Sequence, residues 1–375
     1  MQETVSHPDA VALPVLPTPQ PSAGVEAYRR ERELALAHTS RRRENWERYL
    51  RGRFGGEDID YLPVKLDIEN VSRCNFRCRM CQVSDWPKGR RAADMSLDDF
   101  KHLLDEQYGV VEIKLQGMGE PLLQGDAVFD MIRHARSSHI WVRTTTNASL
   151  LHLHDNHRKL IDADPNEVQI SIDGADRAVF EAIRRGSVFE RVVANCRLIN
   201  AYCDERGVSR TKMWVVVQRD NLHQLSDFVE LAAAMGFHDL TFSLTLTDWG
   251  QKEWRERNDE ILVDGKVSEE ACWNLVERGR ALGVAVSFWR VTEKYDTRRR
   301  ETLCPWPFER LYVSSDLRAV PCCTVGTPEA SDLGDARELT AAWTGETYRQ
   351  FRRAHLNGDL PEICHGCYRN GSEPA

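Results

Sequence analysis

The sequence contains no apolar run approaching the ~18 residues needed to cross a bilayer, and its start, MQETVSHPDA, lacks the basic-then-apolar layout of a secretory signal. Those absences argue against a transmembrane or exported chain and make the cytoplasm the expected location. Positive charge is also short. Fifty Lys and Arg face 58 Asp and Glu, a net charge of -8, so bulk electrostatics offers no reason to expect nucleic acid as a partner. No GxGxxG phosphate loop is present to suggest a dinucleotide cofactor. With 41% hydrophobic and 29% charged residues the composition is that of a globular protein, not of a disordered, collagenous or coiled-coil chain. Against these absences stand 11 cysteines. An odd count without a secretory signal is a poor disulfide framework, and metal binding or catalysis is the better reading.

At 375 residues the chain exceeds one average domain of roughly 150 residues. Residues 1–25 carry Pro8, Pro14, Pro17, Pro19 and Pro21 with little apolar periodicity and are expected to form a disordered lead-in. Residues 26–60 form a helical N-terminal extension, with Trp46, Tyr49, Leu50 and Phe54 on one face and many arginines elsewhere. These arginines are expected to be solvated. From residue 61 to 295 short β-rich runs alternate with amphipathic helices. Strands are expected at 64–69, 110–116, 139–144, 167–172, 211–217, 239–245 and 284–289, and helices at 96–107, 126–137, 189–206, 222–235 and 268–282. Such repetition suits a complete or partial (β/α) barrel, with a doubly wound open sheet as the competing architecture. Residues 296–375 break the rhythm with a hairpin at 310–322, one helix near 337–355 and a closing CHGC, a second and smaller unit.

Cys74, Cys78 and Cys81 form a CxxxCxxC run immediately after the first strand. Three thiolates so close can converge on one centre only if the segment is a loop wrapped around it. Zinc sites usually recruit four protein ligands, whereas three thiolates leave one iron of a four-iron cluster open to an outside ligand. The segment resembles the cluster loop of the radical S-adenosylmethionine (SAM) superfamily. The resemblance implies a [4Fe-4S] cluster whose open iron chelates the methionyl end of SAM, and reductive cleavage to a 5'-deoxyadenosyl radical that takes hydrogen from an unactivated C–H bond. An electron donor such as a flavodoxin or ferredoxin is then an expected partner. The position before the last cysteine, often aromatic in that family, is Met80 here.

Further matches fall where a barrel places its site, at the C-terminal ends of successive strands. Gly119, Glu120 and Pro121 in QGMGEPLL resemble the motif that meets the SAM amino group; the glycines permit close backbone approach and the carboxylate can pair with an ammonium. Thr146 and Asn147 in TTTNAS resemble the family's TNG. Ser171 and Asp173 in QISIDG are candidates for the ribose hydroxyls or the methionyl end, and Arg184 or Arg185 in FEAIRRGS for the SAM carboxylate. Gln218 and Asn221, at the end of the fifth strand, are candidates for cofactor or substrate.

The tail supplies Cys304, Cys322, Cys323, Cys364 and Cys367. Two ligands from a hairpin and two from a CxxC can enclose a four-thiolate site for zinc or for a closed iron-sulfur cluster. The arrangement resembles the twitch module, the short form of the SPASM domain, with one auxiliary [4Fe-4S] cluster held by Cys304, Cys322, Cys364 and Cys367. The resemblance as a whole implies a partial (β/α)6-type barrel with a small C-terminal Cys-rich α+β iron-sulfur domain. Cys196, Cys203 and Cys272 lie on apolar helix faces and are expected to pack in the core.

These features make the chain an expected radical SAM oxidoreductase. The first expected reaction is oxidation of a small polar substrate, a sugar or aminocyclitol alcohol of antibiotic biosynthesis, to a ketone, with the auxiliary cluster taking the second electron. Asp248, Trp289 and Trp306 are possible pocket residues. Epimerisation with Cys323 as hydrogen donor is the first alternative and peptide (RiPP) maturation the second; residues 1–60 look too short for the leader-binding domain that maturases often carry. A zinc-stabilised binding module is the non-enzymatic alternative.

Overall fold

Parallel strands covered on both faces usually read as continuous apolar runs, but those of this chain alternate. In KLDI, EIKL and EVQIS every second residue is polar or charged, and in TKMWVV Lys212 and Trp214 alternate with Met213 and Val215. The computed structural model, which describes residues 15–87, 93–263, 265–291 and 294–369, shows why. The apolar set, including Leu66, Ile68, Ile113, Leu115, Val168, Ile170, Met213 and Val215, is fully buried. The polar set points the other way, into a lumen.

Twelve strands are present among the described residues: β1 Lys65–Ile68, β2 Arg77–Cys78, β3 Glu112–Leu115, β4 Trp141–Thr146, β5 Glu167–Ser171, β6 Arg184–Arg185, β7 Thr211–Val216, β8 Asp239–Ser243, β9 Ala285–Trp289, β10 Arg310–Val313, β11 Arg318–Val320 and β12 Gly334–Asp335. Ten form one sheet in the order β12-β11-β10-β1-β3-β4-β5-β7-β8-β9, while β2 and β6 pair with each other. The run from β10 through β1 to β9 is parallel throughout. All seven expected strands are present, joined by helices as in a partial (β/α) barrel.

The helices are α1 Val25–His38, α2 Ser40–Gly52, α3 Leu97–Glu106, α4 Asp126–Ser137, α5 Asn156–Asp162, α6 Arg177–Ile183, α7 Phe189–Glu205, α8 Leu225–Ala234, α9 Lys252–Asp259, α10 Glu269–Ala281, α11 Trp306–Glu309, α12 Leu339–Thr344 and α13 Glu346–Asn357. Their starts follow capping chemistry: Ser96, Asp176 and Ser268 each accept the backbone N–H three residues on. The helical extension expected over 26–60 is built of two helices, because Thr39 is extended and caps α2 through the Arg42 N–H. The helix expected near 337–355 is likewise broken, at Gly345. Cys196, Cys203 and Cys272 are buried in the core.

The structure alters several expectations. Residues 1–14 lie outside the described residues, but 15–24 are not a free lead-in. Pro17 O accepts from Phe288 N at 2.8 Å and Ser22 N donates to Glu167 Oε2 at 3.2 Å; Lys212 Nζ donates to Gln20 O. Together with Tyr28, which donates to Glu112 Oε2 at 2.8 Å, the segment covers the N-terminal end of the lumen. The physical reason is the charged floor, whose buried groups need hydrogen-bond partners. The smaller unit expected at 296–375 continues the sheet of the barrel: β10 pairs in parallel with β1 and carries β11 and β12 into the same sheet. Finally, Arg42, expected to be solvated with its neighbours, is buried and donates to the carbonyls of Tyr108, Ala35 and Ser138.

Candidate functional site

The first three cysteines sit in the loop after β1, and that loop is fixed from two sides. The Arg77–Cys78 strand pairs antiparallel with Arg184–Arg185, and Asn75 exchanges hydrogen bonds with Ser149 and Asn147 at 2.8 and 2.9 Å. Cys74, Cys78 and Cys81 thereby line one cavity of about 520 Å³, together with Met80, Gly117, Gly119, Glu120, Thr146, Asn147, Ser171 and Arg184. Burial pushes all three thiols up, Cys74 to about 12 with help from the Glu120 carboxylate. Neutral thiols on one wall become ligands only when a metal supplies the opposing charge. Among the described residues no three His, Cys, Asp or Glu side chains are arranged to hold a single metal ion. All three thiols line the one cavity, whose volume leaves room for a multi-iron cluster.

The rest of the wall suits an amino-acid ligand. Glu120 is buried, accepting from Thr146 Oγ1 at 2.6 Å and Asn147 N at 2.7 Å. Backbone runs unusually near at Gly119, where a Cβ would stand 2.3 Å from Val71 O and 2.4 Å from Arg73 O, so only glycine fits. Ala148, at the position of glycine in TNG, adopts φ 60°. Arg184 faces the cavity and lies 2.6 Å from Asp173, whose side chain is fully buried. Burial works against the Arg184 charge, but Asp173 and Cys78 outweigh it and hold its pKa up.

Several expected contacts fall elsewhere. Asp173 does not reach the cavity; it accepts from Val216 N at 2.8 Å and aligns Arg184. Asn221 is fully buried, bonding the Asp173 and Val216 carbonyls and the Gln218 N–H. A loop amide that closes its own turn is spent there. Gln218 is also fully buried and off the cavity. Pro121 starts a 3-10 turn behind the wall, and Arg185 is exposed, donating to Arg77 O at 3.0 Å.

The five tail cysteines line a second cavity of about 550 Å³. Cys304 and the Cys364–Cys367 pair pack with Phe54, Leu303, Phe308 and Tyr368, while Cys322 and Cys323 pack against Tyr312, Val320 and Val325. Tyr368 Oη accepts from Cys304 N at 2.8 Å. Burial raises every one of these thiols, Cys367 and Cys323 to about 12. The two cavities share a wall that includes Asp67, Lys114, Trp214, Trp289, Cys323 and Cys367. Of the expected pocket residues, Asp248 lines the first cavity and is paired with Arg255 at 2.9 Å, Trp289 lines both, and Trp306 lines the second.

Residues not anticipated are those of the lumen and of the junction between the barrel and the tail. Glu69, at the end of β1, accepts from Met118 N at 2.9 Å and from Ser315 N at 3.0 Å, tying the glycine loop to the β10–β11 turn. Asp67, Glu112, Lys114 and Arg143 fill the lumen, and the alternation in VKLDIE, VVEIKLQ and WVRTTT was the signal for them.

Residues 70–232 match the model of the radical SAM superfamily, and residues 304–368 that of SPASM, an iron-sulfur cluster-binding domain. The PqqA peptide cyclase of Rhodopseudomonas palustris is 26% identical over 313 residues, 82% of this chain and 79% of that protein. The mycofactocin maturase MftC of Mycolicibacterium smegmatis is 33% identical over 177 residues, 46% of this chain and 43% of that one. Among solved structures, SuiB of Streptococcus suis bound to S-adenosylmethionine shares the fold at TM-score 0.60 and 14% identity, covering 82% of this chain and 72% of that one.

Proposed function

We propose that this chain, which carries a radical SAM domain followed by a SPASM domain, is a maturase that oxidatively modifies a peptide. Such domains carry a SAM-binding [4Fe-4S] cluster and an auxiliary [4Fe-4S] cluster, and the residues present fit both. The fit rests on two buried sets of thiols on two cavities and on the glycine-lined wall with Glu120 and Arg184 beside the first. In this reading Cys74, Cys78 and Cys81 hold the first cluster, and Cys304, Cys322, Cys364 and Cys367 the second. When bound, the first cluster with SAM supplies a 5'-deoxyadenosyl radical, and the second supplies an electron acceptor.

The chain's own part is binding, orientation and exclusion of water. Glu120, fixed by Thr146 and Asn147, meets the ammonium of SAM. Arg184, aligned by Asp173, meets its carboxylate, and Ser171 and the Met80 backbone are placed along the same wall. The observation that carries an oxidative reaction is the shared wall. A substrate lying between the cavities touches Trp214, Trp289 and Cys323 and is within reach of both cysteine sets. Each cavity is within the ~300–1,000 Å³ of an ordinary ligand site, so cofactor and substrate need not compete for space. That the substrate is a peptide, not a sugar alcohol, is supported by the peptide cyclase that matches along most of the chain. A low-potential carrier such as flavodoxin or ferredoxin would deliver the starting electron.

The test is anaerobic incubation of the reconstituted enzyme with SAM, reductant and the short peptides encoded beside its gene. A peptide that loses two hydrogens, with matching 5'-deoxyadenosine, supports the reading. Oxidation or epimerisation of an aminocyclitol with no change in any peptide would replace it.

A further inference from the structure

Among the described residues, the cations that line the two cavities each have an anionic or aromatic partner, with one exception. Arg143 meets Glu112 at 2.6 Å, Lys212 meets Glu167 at 3.0 Å and Lys65 meets Glu112 at 3.7 Å. Arg310 meets Asp67 at 3.7 Å, and on the first cavity Arg255 and Arg184 have Asp248 and Asp173. Lys294, on the second cavity, stacks on Trp289 at 4.2 Å. Lys114 has none of these. It is partly buried on the inner face of β3, in the wall common to both cavities, with no hydrogen bond or ion pair among the described residues. Burial and the nearby Arg143 push its pKa down, so the ammonium is held at a cost that its surroundings do not offset.

We propose that Lys114 is a specificity residue that binds a carboxylate of the substrate at the boundary of the two cavities. One unpaired ammonium on a wall that also holds Trp214 suits a single negative charge carried on an apolar body. A phosphate dianion would call for several donors. The proposal rests on the peptide reading for the source of that carboxylate, which is either an acidic side chain or a chain terminus. The carboxylate of SAM is left to Arg184, which stands beside Cys78 and Cys74, whereas Lys114 lies on the wall that the first cavity shares with the second.

The experiment uses the anaerobic holoenzyme and three probes: N-acetylglutamate N-methylamide, its glutamine counterpart, and N-acetylalanine. Binding is followed by ligand-observed NMR on wild type, K114M and K114R. The expected result is at least tenfold tighter binding of one carboxylate probe than of the glutamine probe, lost in K114M and partly kept in K114R. The glutamate probe winning assigns a side chain, and N-acetylalanine winning assigns a terminus. Equal binding of all three, or an unchanged preference in K114M, overturns the proposal. A second readout concerns the protein alone: K114M should melt above wild type, since it removes an uncompensated charge. Melting below wild type would mean a structural partner and would equally overturn it. Failure of the peptide reading looks different, because carboxylate discrimination would persist while no peptide is modified.

Discussion

Replacing Asp173 with Asn removes the charge opposite Arg184 while keeping the acceptor for Val216 N, which lies 2.8 Å away. Side-chain exposure is 0% for Asp173 and 8% for Arg184, so the guanidinium loses its partner with little water to replace it. Breaking a buried pair by removing one member costs ~3–5 kcal/mol. The Asn amide retains one hydrogen bond, which places Asp173→Asn at the lower end, about 3 kcal/mol. At roughly 2 °C per kcal/mol for a long chain, the melting temperature should fall by about 6 °C. The assay is thermal unfolding of anaerobic protein with matched iron content, combined with SAM binding, which should weaken at least tenfold as Arg184 loses its alignment. Arg184→Met in the same background should recover much of the lost stability, because the stranded charge goes with it, while SAM binding stays weak. An unchanged melting temperature in Asp173→Asn, or a double variant no more stable than the single, would refute the buried-pair argument.

Gly119→Ala should drive a Cβ into the carbonyls of Val71 and Arg73, both under 3 Å away, and displace the cysteine loop. Iron at the first site and SAM cleavage should fall sharply while the second site keeps its metal, and wild-type values for both would show that the backbone can yield. His355, buried in the tail with Nδ1 2.8 Å from Phe351 O, has its pKa lowered by burial to about 4. Between pH ~6.5 and ~4 the unfolded chain takes up a proton that the folded one refuses. Stability therefore falls as pH drops through that window, by about 3 kcal/mol in all. His355→Leu should flatten that part of a plot of melting temperature against pH, and an unchanged slope would remove His355 as its source.

The barrel was legible because its strands and helices obey local periodicity, and the CxxxCxxC and CxxC groups because their spacing is local too. What escaped was long-range. Nothing near residue 310 shows that Arg310–Val313 pairs beside Lys65–Ile68. Nor do the prolines of 15–24 reveal that their backbone meets Lys212 and Glu167. Asn221 shows a second limit: an amide at a strand end is equally suited to a ligand or to its own turn, and only its burial and its bonds to the Asp173 and Val216 carbonyls decide between them. The lumen was readable, since Lys65, Asp67, Glu112 and Lys114 alternate with aliphatics, but a parallel barrel strand is not usually scanned for a polar face.

The central claim is that two separate cysteine sets hold two four-iron clusters on adjoining cavities. Iron and sulfide content tests it most directly, measured on anaerobically reconstituted wild type and on two variants. One replaces Cys74, Cys78 and Cys81 by Ala, and the other replaces Cys304, Cys322, Cys364 and Cys367. The account predicts about eight iron and eight sulfide in wild type and about four of each in either variant. Stoichiometric zinc in wild type, or one variant losing all the iron and the other none, would contradict it.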